Sequence, residues 1–118
     1  MEAEWLQAEQ RRTCVTHLAE FLETPGYLKL GLARNARSGA SPLNGLRHPP
    51  DAGTCGWFIW AGTDLSGAPD FFQPHHVSHL AELLPEVLPY LGLAPGWRFL
   101  LEPAHVDVWF DPAVLAPA

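Results

Sequence analysis

The chain has 118 residues, 47% hydrophobic and 17% charged, which suits one compact domain and excludes a disordered one. Thirteen acidic residues against seven basic give a net charge of −6; that balance argues against nucleic acid, whose phosphates demand a basic footprint, and predicts a basic protein partner. No apolar run approaches the roughly 18 residues that span a bilayer, and Met1–Gln10 lacks the cationic cap and apolar core of a signal peptide, so the expected location is cytoplasmic, away from membranes.

Residues 2–23 read as a helix whose apolar stripe is Cys14, Val15, Leu18, Phe21 and Leu22, stopped by Thr24-Pro25-Gly26. Tyr27–Arg34 alternates, with Leu28, Leu30 and Leu32 on one face, as a half-buried strand does. Residues 35–54 have no period and carry Gly39, Pro42, Gly45, Pro49, Pro50 and Gly53. They read as a long loop, and a loop that long marks a functional segment.

Gly56–Gly62 is aromatic and β-branched on both faces, the signature of a covered strand. A polar turn through Thr63, Asp64, Ser66, Gly67, Pro69 and Asp70 leads to Phe71-Phe72, with Pro74 expected to open a helix. Val77, Leu80, Leu84, Val87 and Leu91 keep one helical stripe, broken at Leu84 because Pro85 cannot continue the ladder. Trp97–Leu101 and Val106–Phe110 read as a hairpin, and Pro112 and Pro117 mark a short tail. The prediction is an α+β domain over residues 1–118: a four-stranded antiparallel or mixed sheet packed with two main helices, ordered α-β-loop-β-α-β-β.

Few residues combine into chemistry. His75 and His79, with His76 alongside, fall near one face of the expected helix, and two histidines at i and i+4 suit zinc. The pattern is not HExxH and no fourth ligand follows from spacing, so a solvated face is favoured over a metal site. Arg47-His48 in the long loop suits anion clamping or acid–base work, but anchoring of the loop or contact with a protein partner is favoured. Asp107 and Asp111 share strand parity, as a solvent-facing edge or as acceptors for a partner's arginine. The five tryptophans are expected mostly in the core, but Trp57 and Trp60 have opposite parity, so at least one is a candidate to face away from it on a binding surface. Cys14 and Cys55 match no CxxC or zinc spacing and read as reduced, buried thiols; Cys55 as a nucleophile is the weaker reading. No phosphate-binding glycine loop occurs, and no cofactor is expected.

The strings Asn44-Gly45-Leu46-Arg47-His48-Pro49-Pro50, Gly56-Trp57-Phe58-Ile59-Trp60-Ala61-Gly62, Asp70-Phe71-Phe72-Gln73-Pro74, Pro95-Gly96-Trp97-Arg98-Phe99-Leu100 and Asp107-Val108-Trp109-Phe110-Asp111 together resemble the Imm33-like group of bacterial immunity proteins, over about residues 27–111. The resemblance implies a small non-enzymatic cytosolic protein that neutralises a cognate toxin by binding it, and it carries over no catalytic residue. With the acidic balance, the expected partner is a basic toxin domain, met through Arg47, His48, Trp57, Trp60, Asp107 and Asp111. The alternative is a small hydrolase or metal-binding protein using Arg47, His48, Asp107 and the His75/His76/His79 cluster. It requires those groups to converge. A structural subunit or homodimer is a third class.

Overall fold

The computed structural model describes residues 2–63, 65, 66 and 68–116, with backbone alone at 2–4. Asp64 and Gly67 of the expected turn, and Pro117 of the tail, lie outside the described residues. Six strands form one mixed sheet: β1 (Lys29–Ala33), β2 (Leu43–Arg47), β3 (Thr54–Ala61), β4 (Phe72–His76), β5 (Trp97–Glu102) and β6 (His105–Phe110). Their order across the sheet is β4-β1-β3-β2-β5-β6. Only the β1–β3 pair is parallel among these neighbours. Helix α1 (Glu2–His17), the single turn α2 (Leu80–Leu83) and the 3₁₀ segment Pro85–Tyr90 accompany the sheet.

The core lies on the face that carries Leu30, Leu32, Cys55, Trp57, Ile59 and Phe99, against Leu80, Leu84, Val87 and Leu91. The stripe read at Val77–Leu91 is therefore the element that closes the core. It breaks at Leu84 as expected, although most of its turns are 3₁₀. The 97–110 hairpin also forms, with Glu102 opposite His105.

Three expectations require correction. The first helix ends at His17, not at residue 23. Leu18 adopts a left-handed φ of 57°, and the Ala19 N–H closes onto the Cys14 carbonyl at 2.8 Å. That cap turns the chain away from the helix and leaves Val15 and Leu18 largely exposed. The chain then runs extended beside 91–94, where the Leu22 N–H donates to Gly92 and the Ala94 N–H to Glu20.

The sheet has six strands rather than four because two were hidden. Within the supposed loop, Arg34–Arg37 is a 3₁₀ turn and Leu43–Arg47 is a central strand. Gly45 interrupts that strand's apolar pattern for a packing reason. A Cβ there would sit 2.2 Å from the Phe99 ring, so the ring takes the place a side chain would fill. Phe72–His76 is the other hidden strand, not a helix start; it pairs antiparallel with β1. Pro74 is tolerated because β4 is an edge.

Candidate partner-binding site

Arg47 ends a central strand on the core face, and its side chain is fully buried, forming no ion pair among the described residues. Backbone carbonyls satisfy it instead. Its Nε donates to Cys55 at 2.9 Å, one terminal nitrogen to Leu22 at 2.8 Å and Leu93 at 2.9 Å, with a longer reach to Leu91. The other terminal nitrogen reaches the Glu23 carbonyl at 3.3 Å. Burial without a counter-ion lowers its pKa to about 10 from 12.5. The guanidinium thus binds β3, the stretch after α1 and the 91–93 turn into one knot. Cys14 donates to the Gly92 carbonyl in the same knot, and burial raises both the Cys14 and Cys55 thiols. Both cysteines are free.

Trp57 lies beneath Arg47, fully buried, with Nε1 donating to the Leu91 carbonyl at 3.0 Å. Trp60 points to the other face but is only 4% exposed, its ring edge-on to Phe72. The surface role expected for Arg47, Trp57 and Trp60 therefore does not match where they sit. Arg47 and Trp57 join the sheet to the segments above its core face, and Trp60 packs against Phe72 on the other face.

His48, one residue further on, is exposed. Its Nδ1 lies 2.9 Å from the Val114 carbonyl and its ring meets Phe58 edge-on, so it ties down the turn at Pro112–Leu115. Asp111 caps that turn by accepting from Ala113 N–H, and pairs with Arg98 at 3.1 Å. Asp107 is exposed on the edge strand β6, 3.0 Å from His105. His75 and His76 lie on β4, the opposite edge, and His79 in the following 3₁₀ turn, where its ring packs on His76. The helix face that was to align His75 with His79 does not exist.

The structure does not bring Arg47, His48, Asp107 and the three histidines together. The two edges are five strand spacings apart, about 24 Å at ~4.8 Å each. Among the described residues, no group of three or more His, Cys, Asp or Glu side chains is placed to hold a metal ion. No described helix is long and apolar enough to cross a membrane.

A feature the sequence reading missed is a cleft of about 540 Å³ where one end of the sheet meets the helical layer. Its apolar lining includes Ala36, Leu43, Leu83, Leu84 and Leu101. Glu86, Glu102 and Arg37 stand exposed around it, and the Gly39–Ser41 stretch forms a wall. Part of the segment marked for function thus borders a concave site, although Arg47 and His48 do not. The cleft joins residues distant in sequence, and no local spacing announces it.

An Imm33-like domain model matches residues 9–111, nearly the whole chain. The chain belongs to the Imm33-like family. The match reaches into α1 and takes in its residues 9–17, which the motif strings did not cover. No curated protein and no solved structure matches the chain.

Proposed function

We propose that this Imm33-like protein is a non-enzymatic, cytoplasmic immunity protein that neutralises a cognate toxin by binding it directly. The observation that carries this reading is the family match across residues 9–111. The contact is assigned to the cleft beside Gly39–Ser41. Its apolar floor accepts side chains from a partner, and two carboxylates against one guanidinium favour a basic segment. The net charge of −6 acts in the same direction by steering a basic domain inward.

The test uses a candidate toxin domain taken from the gene's neighbourhood, and a neighbourhood without one would itself count against the reading. Co-expression of this chain should restore growth of cells that make the toxin. The double variant Glu86→Lys, Glu102→Lys should fold normally, because both side chains are exposed, and should bind at least tenfold more weakly. Wild-type affinity in that variant would remove the cleft from the reading. Failure of the wild-type chain to protect would remove the immunity role itself.

A further inference from the structure

The two edges of the sheet differ in a way that bears on self-association. Edge strands invite pairing with another chain, and natural proteins blunt them with proline, lysine, bulges or polar side chains. The β4 edge is blunted: it reads Phe72-Gln73-Pro74-His75-His76. The β6 edge, His105-Val106-Asp107-Val108-Trp109-Phe110, carries neither proline nor lysine, and its two polar side chains, His105 and Asp107, pair with each other at 3.0 Å. Val106, Trp109 and Phe110 are 46%, 37% and 47% exposed. No described strand pairs with its outer side.

The hydrogen-bond parity of this edge is fixed by the hairpin. Glu102 faces His105 across a two-residue turn, and the Asp111 N–H donates to Gly96 at the other end. Antiparallel pairs alternate between bonded and non-bonded. His105, Asp107 and Trp109 therefore spend their backbone groups on β5. Val106, Val108 and Phe110 turn theirs outward.

We infer that β6 pairs antiparallel with β6 of a second copy of this chain, across a two-fold axis at Val108. This register satisfies three independent conditions at once. Val106 meets Phe110 of the other copy and Val108 meets Val108, so all three outward-turned residues find bonded partners, with six new backbone hydrogen bonds across the dimer. On the core side, the half-exposed Val106 and Phe110 cover each other. On the opposite side, Asp107 faces Trp109 of the other copy, over which that copy's Arg98 guanidinium lies at 5.3 Å. The carboxylate thereby faces a ring bearing an arginine that Asp111 already holds at 3.1 Å, instead of its own twin. The register centred one residue earlier sets Asp107 directly against Asp107, forms fewer bonds and costs like-charge repulsion. The result is a continuous twelve-stranded sheet.

Sedimentation equilibrium of the full chain up to about 100 µM, a range that detects micromolar association, reads the dimer directly. The expected mass is twice 13.0 kDa. Trp109→Asp and Trp109→Lys remove the same ring. Asp sets carboxylate against carboxylate, while Lys sets ammonium against Asp107. The first should be monomeric and the second should remain dimeric, with far-ultraviolet circular dichroism showing both folded. Mild oxidation should cross-link Val108→Cys as a dimer and leave Asp107→Cys uncross-linked. A wild-type monomer throughout, equal masses for the two Trp109 variants, or cross-linking at 107 instead of 108 would each overturn the proposal. So would cross-linking of Val108→Cys to the toxin in place of a second copy. The toxin reading is unaffected by a monomeric result, because its test is read at Glu86 and Glu102.

Discussion

Replacing Arg47 by Met keeps the length of the stem and removes the guanidinium. Three short bonds disappear, to the carbonyls of Cys55, Leu22 and Leu93. A buried acceptor left without a donor costs about 1–3 kcal/mol, so three cost about 3–9 kcal/mol. The substitution also removes a cation held at some expense. A pKa lowered from 12.5 to about 10 corresponds to about 3 kcal/mol recovered. The net loss is then about 3 kcal/mol, taking the middle of the range. With about 2.1 cal/mol/K of unfolding entropy per residue, 118 residues give about 0.25 kcal/mol/K, so Tm should fall by about 12 °C. Arg47→Lys should recover only part of this, because one ammonium cannot reach Cys55 and the Leu22–Leu93 pair together. Differential scanning calorimetry of the three proteins reads the effect. A Tm within about 3 °C of wild type for Arg47→Met, which the same entropy equates to less than ~1 kcal/mol, would refute the reasoning. Loss of toxin binding in such a stable variant would return Arg47 to the surface role read from the sequence.

Other consequences follow from the same geometry. Gly56→Ala should cost about 2–4 kcal/mol by chemical denaturation, because φ is +94° and the new Cβ would lie 1.9 Å from the His48 carbonyl oxygen. Gly39→Ala should cost only about 1 kcal/mol, since the left-handed φ remains but nothing lies within 4 Å. Alkaline conditions should weaken the fold through the thiols. Burial raises Cys14 and Cys55 above 9.0, so unfolded chains ionise first and the stability these groups contribute falls as pH rises past about 9. Arg47 acts in the opposite sense only above its value of about 10. Tm measured from pH 8 to 10 should therefore decline, and a Cys14→Ala, Cys55→Ala variant should show a shallower slope. An identical slope would show that the thiols do not carry the effect.

What the sequence made legible was whatever a single period could encode. Alternation in Tyr27–Arg34 marked β1, and the all-apolar Gly56–Gly62 run marked the buried β3. The 3-4-3-4 stripe through Pro85 marked both the helical layer and its break at Leu84. Central strand β2 escaped because its identity rests on a tertiary contact, the Phe99 ring over Gly45. Edge strand β4 escaped because Pro74 carries the same signal at a helix start as on an unpaired edge. Arg47 misled for a related reason. An arginine among prolines and glycines reads as exposed loop, and it is the carbonyls of Cys55 and of residues 22–23 and 91–93 that let it be buried. The cleft is assembled from three separate stretches of chain, 36–43, 83–86 and 101–103, so no window of sequence contains it. Family membership, by contrast, was legible in the motif strings themselves, and the match over 9–111 extends it through most of α1.

Direct binding of a toxin is the central claim, and calorimetric titration tests it most directly. A candidate toxin domain taken from the gene's neighbourhood is titrated into this chain, with its activity assayed on the same mixtures. The account predicts a saturable complex of one toxin domain per chain, with residual activity falling in proportion to the fraction bound. Absence of heat and unchanged toxin activity at a severalfold molar excess of this chain would contradict it.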